Sequence, residues 1–448
     1  MNIVIIGAGD IGTYAAAALS KQGHNVILID KDENRLSDMS WQMDIAVRKG
    51  SGTDWQLLDQ LLETKPDLFL ALTSQDEVNL MACTLAKHLG YPRTVARVKD
   101  SHFLNRRRLD FARLFGADYF ISPELLVAYE IYKHLANLNS LAFESLTHGA
   151  VQMRTVQVPE HWHLAHKDVK ALPLPPDIII GLIYRKSEEP KIIFPHGEDY
   201  ILPGDEITLI GQRDAIATSH EFFGIKSKSP RSVVIIGGSL VGINLAKILK
   251  DKNISIHLID KDAKHCLALA EELPYCRITH QSQIDPEFLR SERIGQADYF
   301  VLCTHQDESN ILGALAAKEV GCENVAIALE NERFLHLVEK LNITHVVSPQ
   351  QAAAKQILSF TASKTTSSLI NLYEGQAEIS EVNVSLNSKI IGIPLADLGS
   401  RLPKDFLIAT IQNRGRVLIP KGDSVICPGD TVIVINSPKY SNDLEKIF

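Results

Sequence analysis

The chain has little cysteine, and none of it is spaced for chemistry. Its six cysteines, at positions 83, 266, 276, 303, 322 and 427, form no C-x-x-C pair. Several lie in apolar or strand-like stretches, and they read as buried thiols in a reducing compartment. Long apolar runs are missing as well: no uninterrupted stretch approaches the length needed to cross a bilayer. The N-terminus opens on a strand-like run, not on a basic, apolar and cleavable leader. A basic excess is also absent. The formal net charge is −8, which disfavours nucleic acid as a partner, because phosphate binding draws on cationic surface. These absences together imply a cytoplasmic chain without direct membrane insertion, whose membrane role, if any, comes through a partner. At 448 residues, 45% hydrophobic and 22% charged, the chain is ordinary globular material long enough for several cores.

What is present begins at once. The apolar run Ile3-Val4-Ile5-Ile6 feeds into Gly7-Ala8-Gly9-Asp10-Ile11-Gly12, an alanine-rich helical segment follows, and a second apolar run ends in Asp30 and Lys31. A G-x-G-x-x-G turn between a strand and a helix, with an acid closing the next strand, is the pattern of a dinucleotide or adenine-nucleotide site. The first glycine makes the tight turn, the second admits a pyrophosphate, and the third lets helix and strand pack closely. Helix amides receive the phosphate. Asp30 accepts from ribose hydroxyls and repels a 2'-phosphate, so NADP(H) should bind more weakly than NAD(H).

Strand and helix patterns then alternate: a strand at Asp44 to Val47, a helix opening at Asp54, a strand at Asp67 to Leu72, a helix from Glu77 to Leu89, a strand at Thr94 to Val98, a helix over Phe103 to Leu114, and a strand at Asp118 to Ile121. This is a doubly wound parallel sheet. Thr73 and Ser74, and Arg97, fall at strand C-terminal ends, where open α/β sheets place ligands, and Thr53 and Asp54 are expected at the same nucleotide cleft. Ser74 with Glu77 also fits a helix capping box, and Asp76 with Glu77 reads as first-turn acids complementing a helix dipole. From about residue 140 the texture becomes β-rich, with a helical piece at Lys167 to Leu172 and a linker at Lys226 to Pro230.

The pattern then repeats. Gly237-Gly238-Ser239-Leu240-Val241-Gly242 returns the opening turn, Asp260 returns Asp30 at the same spacing, Thr304 to Asn310 returns Thr73 to Asn79, Ser348-Pro349 returns Ser122-Pro123, and Pro428-Gly429-Asp430 returns Pro203-Gly204-Asp205. The chain is two copies of a Rossmann-type domain followed by a small β-rich α+β domain, divided as 1–139, 140–225, 230–360 and 364–448. The copies are unequal. Ser239 replaces the middle glycine, the 280–284 stretch loses both glycines of Gly50-Ser51-Gly52, and Ile327 is read as the counterpart of Arg97. The first lobe is therefore expected to carry the nucleotide site. His161-Trp162-His163 and His166 lack the acids or thiols of a metal site, and Arg106-Arg107-Arg108 reads as a solvated face.

Over essentially the whole chain this register of G-x-G-x-x-G, Thr-x-x-Asp-Glu-x-Asn, Ala96-Arg97-Val98 and Ser-Pro resembles the TrkA family of potassium-uptake regulatory subunits, whose repeated units are RCK domains. The resemblance implies NAD(H), or ATP or ADP, as ligand. It also implies a homo-oligomer, a tetramer, docked on a membrane potassium transporter of TrkH/TrkG type at the cytoplasmic face of the inner membrane. No catalytic residues are expected. Two other readings stay open: an NAD-dependent oxidoreductase, against which the small duplicated partner domains argue, and a nucleotide sensor unconnected with ion transport.

Overall fold

The computed structural model describes residues 1–448 apart from 41–43, 105–108, 138–139, 188–189, 226–229, 282–285, 342, 362–365, 374–375, 387, 389, 400–401, 404, 414–415, 441–443 and 445–446. The Arg106 to Arg108 run, the linker at 226–229 and residues 282–284 thus lie outside the described residues.

Among the described residues the first lobe comprises β1 (Asn2–Ile6), α1 (Asp10–Lys21), β2 (Asn25–Asp30), α2 (Glu33–Ser40), β3 (Ala46–Lys49), α3 (Trp55–Leu61), β4 (Leu68–Ala71), α4 (Asp76–Leu89), β5 (Thr94–Arg97), α5 (Phe111–Leu114), β6 (Tyr119–Ile121) and α6 (Pro123–Ala136). The first small domain has β7 (Ala142–Leu146), β8 (Val151–Gln157), β9 (Ile178–Arg185), β10 (Lys191–Ile193), β11 (Glu206–Gln212) and α7 (Arg213–Phe222). The second lobe repeats the first as β12 (Ser232–Ile236), α8 (Leu240–Leu249), β13 (Ser255–Asp260), α9 (Ala263–Glu272), β14 (Arg277–His280), α10 (Pro286–Ser291), β15 (Tyr299–Leu302), α11 (Asp307–Glu319), β16 (Val325–Ala328), α12 (Leu335–Glu339), β17 (His345–Val347) and α13 (Pro349–Thr361). The second small domain has β18 (Thr366–Leu372), β19 (Ala377–Asn383), α14 (Leu395–Leu398), β20 (Phe406–Asn413), β21 (Arg416–Leu418) and β22 (Thr431–Asn436).

Both lobes are doubly wound parallel sheets, ordered β3-β2-β1-β4-β5-β6 and β14-β13-β12-β15-β16-β17. The strand order reverses between β1 and β4, and again between β12 and β15, which opens a crevice at the carboxyl edge of each sheet. The central strands are buried on both faces, as their unbroken Ile, Val and Leu content requires.

The sequence repeat is serial, but the packing pairs like with like. One compact unit holds residues 1–135 with 230–361, and the other holds 136–229 with 362–448. In the first unit the last helix of each lobe packs on the other lobe. Ala353 and Ile357 of α13 are buried in the core of the first lobe with Ile11, Ala15 and Leu19 of α1. Burial of Ile357 alone is worth about 2 kcal/mol. Arg93 Nη1 donates to the Phe360 carbonyl at 2.7 Å, and Tyr119 stacks on the Phe360 ring at 4.6 Å. Reciprocally, His134 of α6 stacks on His345 of β17 at 4.3 Å, and the Lys252 ammonium lies 5.7 Å from the Tyr132 ring centre.

In the second unit two antiparallel sheets, β10-β9-β11-β8-β7 and β18-β19-β22-β20-β21, share one core. Met153, Leu182 and Ile210 from one sheet meet Ile379, Ala409 and Ile433 from the other, and Tyr184 stacks on Tyr373 at 4.3 Å. The repeated Pro-Gly-Asp turns hold their place through buried acids: Asp205 accepts from Leu202 N at 2.8 Å and Asp430 from Cys427 N at 2.8 Å.

Several expectations shift. Strand β3 begins at Ala46 and not at Asp44. The single helix expected over Phe103 to Leu114 is a 3-10 turn at Ser101–Leu104 and, beyond 105–108, the short α5, whose N-cap Asp110 accepts from Arg113 N. The helical piece expected at 167–172 is a 3-10 turn at Val169–Ala171, and α7 was not foreseen. Of the thiols, Cys83, Cys266, Cys303 and Cys322 are buried, Cys276 is half-buried and Cys427 is exposed. Burial pushes the Cys303 thiol up to about 12 and that of Cys322 to about 11. Trp162 is buried against Phe222 and Phe223, which leaves His161, His163 and His166 on the surface. Among the described residues no three His, Cys, Asp or Glu side chains gather as metal ligands.

Candidate functional site

The crevices of the two lobes open into one cavity of about 700 Å³ within the first unit. First-lobe walls come from Gly7, Gly9, Asp10, Ile11, Asp30, Lys31, Thr73, Ser74 and Arg97, together with Arg35, Lys99 and Glu124. The second lobe contributes Ser239, Thr304, His305, Ala328, Glu330 and Gln350.

The glycine turn is built from below. Gly7 has φ +102°, a left-handed conformation, and a side chain at Gly12 would collide with the Gly7 carbonyl oxygen. Gly9 is the N-cap of α1 and caps it with no side chain. A Cβ there would meet nothing nearer than Arg35 Nη1 at 4.0 Å, so the space above the helix amides is open. Asp30 holds the turn: its Oδ2 accepts from Ala8 N at 2.7 Å and its Oδ1 from Asp32 N at 2.9 Å. Ala8 and Gly12 therefore lie beneath the cavity wall and support it.

A buried asparagine positions the opposite wall. Asn79 Nδ2 donates to the carbonyls of Thr73 and Arg97 at 3.0 and 2.9 Å, and Oδ1 accepts from Thr73 N and Thr73 Oγ1 at 2.9 and 2.7 Å. This one side chain ties the ends of β4 and β5 to α4. Asp76, also buried, accepts from Lys99 N and Asp100 N, which anchors the loop that carries Lys99. The Thr73 hydroxyl is thus engaged, and Ser74 is the freer of the two. The capping box expected of Ser74 and Glu77 does not form, because α4 begins one residue later with Gln75 at its N-cap and no side-chain cap bond. Asp76 and Glu77 do occupy the first turn.

Thr53 and Asp54 are not on the cavity wall. Asp54 is spent as the N-cap of α3, accepting from Gln56 N and Leu57 N, and Thr53 Oγ1 pairs with Ser51 Oγ at 3.0 Å. Gly50, Ser51 and Gly52 line the cavity in their place. Arg97 is present, yet it faces Glu124 at 2.8 Å. Among the described residues Lys31 and Lys99 make no ion pair, so the unneutralised cations lie on the first-lobe side. Lys99, Glu124, Arg35 and Gln350 escaped the sequence reading. Lys99 and Glu124 were detectable as charges just past Ala-Arg-Val and Ser-Pro.

The second-lobe half differs in chemistry. Ser239 Oγ accepts from Gly242 N at 3.4 Å and so occupies the turn that Gly9 leaves open. Asn310 repeats the Asn79 network, but its Nδ2 bonds to the carbonyl of Ala328. The counterpart of Arg97 is therefore Ala328, not Ile327; strand pairing agrees, since Arg97 faces Ile121 and Ala328 faces Val347. Gln350 stands where the first lobe has Glu124, and His305 pairs with Glu330 at 2.8 Å.

Comparison with known proteins decides the kinship. The TrkA-N domain model matches residues 3–123 and 233–349, and the TrkA-C domain model matches 153–224 and 379–448. The chain belongs to the TrkA family. Relatives named Trk system potassium uptake protein TrkA, or its homologue, align end to end with it. One from Methanosarcina mazei is 31% identical over 100% of both chains, and one from Halomonas elongata is 29% identical over 100% of this chain and 98% of its own. Among solved structures, the GsuK channel bound to NAD is 18% identical and covers 100% of this chain and 78% of its own, with a TM-score of 0.61. The isolated GsuK RCK domain gives the same identity and TM-score. That likeness extends the tandem fold to the RCK class. Among the described residues of this TrkA-family chain no helix is long and apolar enough to cross a membrane.

Proposed function

We infer that this TrkA-family chain is the cytosolic regulatory subunit of a Trk-type membrane potassium transporter. NAD(H), or ATP or ADP, binds the cleft and shifts the conformation of a homo-oligomer, a tetramer, seated on the transporter at the cytoplasmic face of the inner membrane. The observation that carries this reading is the cleft itself. An open, uncapped helix N-terminus at Gly9, an acid at Asp30 and the cations Lys31, Arg97 and Lys99 line one cavity that also touches the second lobe. The printed names of the relatives supply the potassium system.

In this reading Gly7, Gly9, Asp10 and Ile11 meet the phosphates, Asp30 takes a ribose, Lys31, Ser74 and Arg97 line the approach, and Ala8, Gly12, Thr53, Asp54 and Thr73 support the walls. The second-lobe half takes no nucleotide of its own, because Ser239 fills its turn and Ala328 supplies no charge. The nucleotide is an effector, not a reactant. Of the acids that face the cleft, Asp32 pairs with Arg35, Glu124 with Arg97 and Glu330 with His305, Asp30 braces the glycine turn, and Asp10 stands in the first turn of α1.

Titration calorimetry tests this. The intact chain should bind NADH and ATP at one site per chain, and Gly9→Val and Asp30→Ala should each weaken both by about tenfold or more, a loss of roughly 1.4 kcal/mol. Unchanged affinities in both variants would remove the assignment, and substrate-dependent oxidation of NADH that is lost in Gly9→Val would favour an oxidoreductase.

A further inference from the structure

Arg97 and Glu124 meet inside the cleft as a single-point ion pair. Arg97 Nη2 donates to Glu124 Oε1 at 2.8 Å, and the two side chains are 12% and 15% exposed. Each partner keeps a polar atom in reserve: Arg97 Nε and Glu124 Oε2 are both buried with no hydrogen-bond partner. A guanidinium and a carboxylate can share two parallel hydrogen bonds, so this pair uses half its capacity. Half-satisfied buried polar groups are costly, and the arrangement favours an exchange of partners. A phosphate oxygen would give Arg97 the acceptor that its Nε lacks. The same exchange would strand the Glu124 carboxylate, without its cation, in a cavity that has just gained negative charge.

The second lobe shows what the pair adds. At the equivalent places it has Ala328 and Gln350, both neutral. Gln350 is held without charge, its Nε2 donating to the Glu330 carbonyl at 2.7 Å and its Oε1 accepting from Ser348 Oγ at 2.7 Å. The first turn of α13 is thus pinned by neutral hydrogen bonds, while the first turn of α6 is held at Glu124 by an ion pair that a ligand can contest. Helix α6 is also the helix that crosses to the second lobe, where His134 stacks on His345.

We propose that Glu124 is the specificity-determining residue of the cleft. It occupies Arg97 in place of a ligand, penalises each phosphate that enters, and is driven off, with the first turn of α6, when a phosphate takes Arg97. The proposal rests on the nucleotide reading above and adds to it the rule by which ligands are sorted: by phosphate charge at Arg97, with the response delivered to α6.

The experiment titrates the full chain, in metal-free buffer, with adenosine and ADP, and follows amide hydrogen exchange over residues 123–136. Wild type and Glu124→Gln are compared, with Arg97→Ala as a second variant and thermal melting as the check on folding. Glu124→Gln should bind ADP about tenfold more tightly and adenosine with unchanged affinity, since the removed charge opposes phosphate alone. ADP should speed exchange at the start of α6 in wild type, whereas in Glu124→Gln, where a neutral amide can pin the turn as Gln350 does, that exchange should not change with ADP. Arg97→Ala should weaken ADP and abolish the ADP-dependent change. If wild type binds ADP and Glu124→Gln binds it equally or less tightly, the proposal is wrong while the nucleotide reading stands. If wild type binds neither ligand, nor NADH or ATP, the nucleotide reading falls and takes this proposal with it.

Discussion

Gly9 and Ser239 hold the same position in two copies of one turn, and they divide its uses between them. Ser239 caps its helix through Gly242 N; Gly9 makes no side-chain cap and leaves the amides exposed to the cavity. Serine and glycine at an N-cap differ by only a few tenths of a kcal/mol in helix stability, so the glycine is cheap to keep. A Gly9→Ser variant should therefore melt within about 2 °C of wild type yet lose NADH affinity by about tenfold, because its hydroxyl would fill the phosphate space as Ser239 does. A melt and a titration on the same preparation check this, and retained affinity would mean that phosphates do not approach Gly9. Single residues also show where the sequence was legible. The turn, Asp30 and Arg97 could be read because their spacing from a strand end is set by the fold. The function of Asn79 could not, since it depends on two carbonyls that only the folded sheet brings together. Sequence pattern alone sets Ile327 opposite Arg97, whereas the Asn310 side chain, which reaches the Ala328 carbonyl, makes Ala328 the counterpart.

At the scale of elements, the helices α6 and α13 were legible as helices and illegible as an exchange. Local pattern gives a helix after each Ser-Pro, but which lobe receives it depends on contacts far apart in the chain, such as Ile357 among Ala15 and Leu19. The exchange buries a pair of stacked imidazoles. Burial, with His345 as neighbour, pushes His134 down to about 3, and burial, with Lys133 nearby, pushes His345 down to about 4; His257 is likewise held to about 4, by burial and then by Arg277. The free imidazole titrates near 6.5. A histidine held neutral in the fold takes up its proton only on unfolding, so this contribution to stability is complete above about pH 6.5 and is lost as pH falls toward the folded values. By pH 5.5 each of the stacked pair should withdraw about 1 kcal/mol. The melting temperature of the chain should accordingly drop between pH 7 and 5.5. In the His134→Phe, His345→Phe double variant the drop should be shallower, because two imidazoles that burial holds neutral are gone while an aromatic pair takes their place. An equal slope in the two proteins would show that the pair stays solvated or protonated in the fold. Glu124 lies ten residues before His134, about 15 Å along α6, so a low pH that loosens this packing and a phosphate that displaces Glu124 act on opposite ends of one helix.

At the scale of the whole chain, duplication puts two lobes and two small domains into one polypeptide, and like packs with like in each of the two units. A fused pair of this kind can diverge in a way that two identical subunits cannot. The first lobe carries Gly9, Arg97 and Glu124 where the second carries Ser239, Ala328 and Gln350, and the second turn is closed by its own serine. One responsive cleft per chain is sufficient for control, because a ligand moves an equilibrium only through its difference in affinity for the two states. A coupling of about 1 to 3 kcal/mol between cleft and transporter would change activity roughly 5- to 150-fold. If the chain controls a potassium transporter in this way, cells that lack it should take up potassium poorly when the external concentration is low. The intact chain should restore uptake, and Gly9→Val, whose Cβ would meet nothing nearer than Arg35 Nη1 at 4.0 Å, should not. Measuring uptake in the deletion strain carrying either version separates the possibilities. Uptake that is indifferent to the deletion would detach the chain from transport and leave a free-standing nucleotide sensor. Uptake restored equally by both versions would keep the transporter as partner and remove the nucleotide from its control.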